Sequence, residues 1–199
     1  MKRVAVALSL GLFAGLAGGC LFGPRIHLDR LGIVGYIRLD CRAEGDLAAY
    51  ADRMFLDYVV RFQSRARIKE LGPAGAVLGG LKPEQLSPEA LDALGKKLGV
   101  DALLFGELDL TRVRPRINPA TITIDPIQSI VNVDATLASR LLDTHDGTTL
   151  WADSARIRKD IAAARLMKNG QVVFDAADPD AMYGRLIREL INRTTRDLQ

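Results

Sequence analysis

The order of hydrophobic periodicities along the chain is the strongest constraint on its fold. Apolar runs typical of strands alternate with helical spacing over the first half of the chain. These segments are, in order, a strand at Leu31–Leu39, a helix at Glu44–Ser64, a strand at Ala66–Glu70, a helix opening at Ser87 and a strand at Val100–Leu110. Alternation of this kind favours a sheet with helices packed on it.

The second half of the chain is dominated by strand patterns. Ile130–Leu142 alternates apolar and polar residues, and Thr149–Ile157 returns after a hairpin loop at Asp143–Gly147. A last helix begins after Asp178, which is a good N-cap and is followed by proline. We therefore predict an α/β (α+β) fold with a single mixed β-sheet and helices packed on it, in one globular domain over residues 30–199.

Two segments between these elements have less regular patterns. Arg112–Pro126 contains three prolines and is predicted to be a long irregular connection, with a short strand at Thr121–Ile124. Asn169-Gly170 is a second hairpin signal.

The first twenty residues have the layout of a secretory signal peptide. Lys2 and Arg3 precede an uncharged apolar run at Val4–Leu16, and small residues then lead to Cys20. The run is too short to cross a hydrocarbon core, which needs roughly 20 residues. We predict a signal peptide over residues 1–19, and the alternative is a buried core helix.

The end of this segment resembles a bacterial lipobox, in which the cysteine carries acyl chains. The resemblance identifies Cys20 as the lipidation site and implies a lipid-anchored protein at the outer membrane, facing the periplasm, because no Asp follows the cysteine. Two or three acyl chains would anchor the chain stably. Residues 20–29 form a short tether. Cys41 is then either a small buried residue at a strand end, or disulfide-bonded to Cys20 or to a second copy.

Charge and composition exclude several classes of function. Of 27 lysines and arginines, Lys2 and Arg3 lie in the predicted signal peptide, which leaves 25 against 24 acidic residues. This balance gives no reason to expect nucleic-acid binding. His27 and His145 are predicted to be solvated loop residues without metal-ligand spacing, so neither a metal nor a cofactor is expected.

Two clusters of charged residues have a functional and a structural interpretation. Glu107 and Asp109 share one strand face and could do acid–base chemistry, but the favoured interpretation is a polar sheet face on which they answer Arg112, Arg114 or Arg140. Arg112, Arg114 and Arg116 also alternate onto one face, where they would contact lipid headgroups or an acidic partner. The alternative is a solvated strand edge.

Two longer stretches resemble a superfamily of periplasmic and outer-membrane lipoproteins. Leu98–Leu108 (LGVDALLFGEL) is similar to a characteristic strand of that group, and Leu137–Trp151 (LASRLLDTHDGTTLW) is similar to its hairpin. The group includes the curli-secretion lipoprotein and the lipoprotein activators of penicillin-binding proteins. The resemblance covers roughly residues 30–195, although this chain lacks the long linker of the activators.

The resemblance implies a non-enzymatic envelope lipoprotein that works by protein–protein contact or self-assembly, with the membrane and a protein partner or a second copy as its partners. No small-molecule substrate is evident. The alternative is a periplasmic small-ligand-binding protein or hydrolase whose site the sequence does not reveal.

Overall fold

The computed structural model describes residues 25–80, 85–116, 129–163, 173–174 and 176–198, without the side chains of residues 112–116, 129–130 and 162–163. Within these ranges the chain forms six strands and four α-helices. They are β1 (Ile33–Ile37), β2 (Asp40–Cys41), α1 (Leu47–Phe62), β3 (Arg67–Gly72), α2 (Ala74–Val77), α3 (Pro88–Leu98), β4 (Ala102–Arg116), β5 (Ser129–Asp143), β6 (Thr149–Ala163) and α4 (Pro179–Thr194).

The strands form one mixed sheet, which confirms the predicted fold class. Its order is β3-β1-β4-β5-β6, and β2 pairs with β4 beside this path. β1 is parallel to both of its neighbours, whereas β4, β5 and β6 are antiparallel. The parallel strands follow from the helical crossovers between β1, β3 and β4, and the antiparallel pairing of β5 with β6 follows from the short hairpin connection between them.

Helices cover the two faces of the sheet unequally. α1 and α4 lie over one face, where Phe55, Leu104 and Leu186 are completely buried in the main core. α2 and α3 cover part of the other face, where Leu91 and Leu103 belong to a smaller core. Because side chains alternate along a strand, the residues of β5 and β6 that point away from α4 lie on a face that these helices leave open.

The two helices with the clearest sequence signals have the predicted caps. The Ser87 hydroxyl accepts a hydrogen bond from the Ala90 N–H at 3.3 Å, and the Asp178 carboxylate accepts one from the Ala181 N–H at 3.1 Å. Gly99 ends α3 with a φ of 64°, a left-handed conformation that glycine adopts at low cost. These local rules therefore determine where α3 and α4 begin and where α3 ends.

β4 is longer than the sequence predicts. The prediction of an irregular connection is wrong for Arg112–Arg116. There β4 continues past an irregularity at Thr111 and pairs with β5. Pro115 lies opposite Val131 in this ladder. A proline is tolerated at a strand edge, and no described strand pairs with the other side of β4 beyond Leu108. The predicted strand at 121–124 and the Asn169-Gly170 hairpin lie outside the described residues.

Cys41 is the last residue of β2, at a strand end as predicted, but it is half-buried rather than buried. Burial raises the pKa of its thiol. It forms no disulfide with any described residue, and because Cys20 is outside that part of the chain, a bond between the two stays a prediction. No described helix has the length and apolar character needed to span a membrane.

Both ends of the described chain meet at one end of the molecule. α1 and α4 run in the same direction, because Tyr50 near the start of α1 donates to Asp180 at the start of α4 at 2.7 Å. At the other end, Gln63 follows α1 and donates to the carbonyls of Ile26 at 3.0 Å and Leu198 at 2.6 Å. We call this the basal end, and define it as residues 25–31, 60–67 and 196–198.

Candidate interaction surfaces

The predicted lipidation site and signal peptide lie outside the described residues. The described chain begins at Arg25, five positions after Cys20, and its backbone is held at the basal end: the Ile26 N–H donates to the Asp197 carbonyl at 2.9 Å. The second half of the predicted tether is therefore packed against the domain. Leu28, within that segment, is completely buried in the main core.

Arg112, Arg114 and Arg116 lie on the last part of β4, opposite Asp134, Asn132 and Ile130. Their side chains are outside the described part of the structure. β4 begins at Ala102, beside the start of β1 near the basal end, and Arg112 is ten residues further along. At about 3.3 Å per residue this is about 33 Å from the start of the strand. The position favours contact with a partner over contact with the anchoring membrane, and both stay predictions.

The same part of the sheet carries a buried carboxylate. Asp134 on β5 is 2% exposed, although it lies on the face opposite α4. Arg156 binds it through two hydrogen bonds of 2.8 Å, and Arg158 adds a third of 2.9 Å. The arginine hydrogen bonds hold the pKa of Asp134 well below its usual range. The two arginines, which remain more than half exposed, cover the carboxylate and keep their outer surface free for solvent or a partner.

This cluster makes stability depend on pH. A carboxylate whose pKa is lower in the folded state stabilises that state fully above its unfolded pKa, and the contribution is lost as pH falls toward the folded pKa. The unfolded value is about 3.9. We expect Asp134→Asn to lower the Tm at pH 7. The difference in Tm between wild type and variant should become smaller below about pH 4.

Thermal melts followed by circular dichroism between neutral and acidic pH test this expectation. Asp57→Asn removes the same charge from an exposed position on α1 and is the matched control. A gap that stays constant across the pH range would mean that the Asp134 charge does not stabilise the fold.

A basic cleft lies between β6 and α4. Its volume is about 660 Å³, and it extends around the outer edge of β6. Its charged lining comprises six basic and two acidic residues: Arg156, Lys159, Arg185, Arg188, Arg193, Arg196, Asp153 and Glu189. The cleft is therefore suited to an acidic ligand or segment.

Internal ion pairs neutralise only part of the basic cleft. Glu189 accepts hydrogen bonds from Lys159 and Arg193, both at 2.6 Å, and Lys159 makes the larger contribution to lowering the pKa of this carboxyl. Among the described residues, Arg185 and Arg196 have no carboxylate within 4.0 Å. Two positive charges in the cleft are therefore available to a partner.

β6 is an edge strand along its full described length. It pairs with β5 on one side, and within the described residues no strand pairs with the other. Its outward face carries Arg156 and Arg158, and charged side chains are a common protection of a sheet edge against uncontrolled pairing. Edge strands also bind partners by accepting an added strand, which supplies main-chain hydrogen bonds. The edge and the basic cleft thus form one continuous surface.

A smaller cavity lies on the other side of the molecule. Its volume is about 340 Å³, and Ile37 and Phe105 line it together with Arg38, Arg140 and Glu107. This size is within the range of small-molecule pockets, roughly 300–1,000 Å³. It is the feature that would support the alternative of a small-ligand-binding protein.

The remaining candidate groups lie outside the basic cleft, although Glu107 also belongs to the lining of the smaller cavity. His145 is exposed in the β5–β6 loop, 3.8 Å from Asp101, as expected for a solvated loop histidine. Glu107 and Asp109 are both exposed on the same face of β4. Within the described part of the chain no three His, Cys, Asp or Glu residues are placed to hold a metal ion.

Sequence reasoning did not find the basic cleft or the Asp134 cluster. Asp134 and Arg156 are 22 residues apart, and their contact depends on the register of β5 against β6. The only available signal was alternation, which placed Asp134 correctly on the polar face of its strand.

Several solved structures resemble this chain. They include the PelC dodecamer from Paraburkholderia phytofirmans (12% identity, 89% of this chain and 93% of that chain, TM-score 0.48). They also include lipoprotein GNA1162 from Neisseria meningitidis (17% identity, 65% of this chain and 83% of that chain, TM-score 0.39). A third is the LpoB C-terminal domain from Salmonella enterica (12% identity, 67% of this chain and 86% of that chain, TM-score 0.39). The predicted resemblance to envelope lipoproteins is confirmed as a distant likeness of fold. No family model and no curated protein sequence matches the chain.

Proposed function

We propose that this chain is a non-enzymatic envelope lipoprotein, anchored through acyl chains on Cys20 at the outer membrane and facing the periplasm. It acts by binding a protein partner or a second copy of itself. The observation that carries the binding role is the basic cleft beside the open edge of β6, where two arginines have no carboxylate partner among the described residues.

The proposed binding mode follows from the chemistry of that surface. An extended acidic segment would pair its backbone with the N–H and C=O groups of β6 that no described strand pairs, while Arg185 and Arg196 attract its carboxylates. Charges at the rim of an interface mainly accelerate association and set specificity, so the interaction would weaken with salt. The anchor contributes by restricting the search for a partner to the membrane surface.

The test is the native mass of the protein extracted from membranes in mild detergent, with and without chemical crosslinking. We expect the wild type to be acylated and to form a defined oligomer or a crosslinked complex. Cys20→Ser should release the chain from the membrane almost completely, because a stable anchor requires the acyl chains. Arg185→Glu with Arg196→Glu should weaken the complex by about ten-fold or more, since like charges at an interface cost several kcal/mol.

A matched control is available on the other side of the sheet. Lys96→Glu with Lys97→Glu makes the same charge change on the exposed side of α3 and should leave the complex intact. An acylated monomer that crosslinks to nothing would count against the binding role and favour the small-ligand alternative. A soluble chain with an unmodified Cys20 would contradict the anchor itself.

A further inference from the structure

We infer that the basal end is a second membrane contact: it lies on the anionic headgroups of the bilayer that holds the anchor, with Val60 and Phe62 inserted at the interface. This inference rests on the proposed lipidation of Cys20. It deepens that proposal, because it assigns to the folded domain a fixed orientation on the membrane.

The path of the chain brings the basal end to the bilayer. Arg25 is five positions after Cys20, and a step of five residues spans at most about 18 Å when the chain is fully extended. Arg25 itself is exposed, while the next residue is bonded to Asp197 and to Gln63 through its backbone. The segment that would connect the lipid to the domain therefore enters at the basal end, and it is too short to hold that end far from the headgroups.

The basal end also carries exposed apolar side chains. Val60 and Phe62 are 49% and 47% exposed, and they are the two large apolar side chains exposed to this degree in the described structure. Both lie in the last turn of α1. The Phe62 ring is 4.5 Å from the ring of Tyr58, measured between centroids. Exposed apolar side chains such as Phe insert at the boundary between the headgroups and the acyl chains when cationic residues accompany them.

The charge of the basal end matches an anionic surface. Its three segments contain six arginines and two aspartates: Arg25, Arg30, Arg61, Arg65, Arg67, Arg196, Asp29 and Asp197. None of these arginines is within 4.0 Å of a carboxylate of the described residues. Clustered basic residues beside a membrane anchor are attracted to anionic lipid headgroups. Exposed apolar groups and unpaired cations together are typical of a surface that rests in the interface.

A second copy of the chain is a less suitable occupant. Two such basal ends would bring twelve arginines together, because a two-fold contact places the same surface on both sides. The short connection to Cys20 would also require both anchors to leave from the edge of that contact. The membrane supplies the opposite charge and an apolar layer in one partner.

Fluorescence quenching in proteoliposomes tests this orientation. The acylated full chain is reconstituted into phosphatidylethanolamine and phosphatidylglycerol vesicles that contain brominated phospholipid. Phe62→Trp places a reporter at the basal end, and Ala181→Trp places one on an exposed position at the opposite end of α4. Wild type supplies the background from Trp151, which is 7% exposed. We expect the lipid to quench the reporter at position 62 and not the one at position 181.

The arginines are tested in the same vesicles. Arg61→Ala with Arg65→Ala should reduce quenching of the reporter at position 62. For a chain without acyl groups, each of these replacements should lower partitioning to anionic vesicles about five-fold. Lys96→Ala with Lys97→Ala removes two charges from α3 and should have no effect on either measurement.

The outcomes separate this inference from the proposed anchor. Suppose that Cys20 is acylated, but the lipid quenches neither reporter or quenches both equally. The basal orientation is then wrong, while the proposed anchor is supported. If the native mass shows a dimer that Phe62→Ser dissociates, a second copy covers the basal end and the inference is wrong. If Cys20 is unmodified, the anchor is wrong, and sedimentation with phosphatidylglycerol vesicles decides whether the basal end binds lipid by itself; absence of binding overturns the inference.

Discussion

Replacing Phe55 by Ala is expected to lower the free energy of unfolding by about 3–5 kcal/mol. Phe55 is completely buried at the centre of α1, and its ring is stacked on that of Tyr36 with 6.0 Å between centroids. Removing the ring forfeits its burial and opens a cavity between α1 and the sheet. The sheet cannot close around that cavity, because Tyr36 is held in place by a 2.6 Å hydrogen bond to Asp52.

The same helix supplies the control. Phe62→Ala removes an identical side chain that is 47% exposed, so the loss should be below about 1.5 kcal/mol, roughly half the value for full burial. Urea unfolding of both variants, followed by circular dichroism, measures the difference. Equal losses would mean that Phe62 is buried in solution, by the fold or by a second copy.

Replacing Gln63 by Leu is expected to cost about 2–5 kcal/mol, because several buried polar groups lose their partners together. The Gln63 side chain is 8% exposed and accepts a hydrogen bond from the Leu28 N–H at 3.0 Å. It also donates to the carbonyls of Ile26 and Leu198. Leucine has a similar volume, so the loss would report the missing hydrogen bonds rather than a cavity.

This substitution should also have a local signature. Hydrogen exchange at residues 26–31 and 195–198 should accelerate more than exchange in β4 and β5, because Gln63 joins those two segments. Ser64→Ala, at the exposed neighbouring position, should change stability by less than about 0.5 kcal/mol. Uniform acceleration across the sheet would show instead that the two segments open only with the whole domain.

The elements that sequence predicts well are those whose signals are local. α3 begins at the Ser87 cap and ends before a left-handed Gly99, and both signals involve residues within one turn of the helix. β5 was found from its own alternation, with bounds close to those observed. Such features depend on a few neighbouring residues and need no knowledge of the rest of the chain.

The elements that sequence predicts poorly depend on distant residues. The prolines and arginines after Leu110 predict a loop when only neighbouring residues are considered. Pairing with Ile130–Asp134 nevertheless keeps Arg112–Arg116 in β4. Gln63 reads as an ordinary polar residue at a helix end, and its importance depends on Leu198, 135 residues later. The basic cleft likewise requires α4 to lie beside β6. In each case the decisive partner is set by tertiary packing, which no local pattern encodes.

The bonds between Ile26 and Asp197, and between Gln63 and Leu198, have a mechanical consequence for a tethered protein. If the chain is anchored through Cys20 as we propose, a force on the anchor would reach the first such bond at Ile26, whose N–H donates to the Asp197 carbonyl. The load would then pass into α1 and α4 along their length, rather than pulling β1 out of the sheet hydrogen bond by hydrogen bond. A domain held in this way would resist tension from its anchor while the edge of β6, at the side of the sheet, stays free to engage a partner.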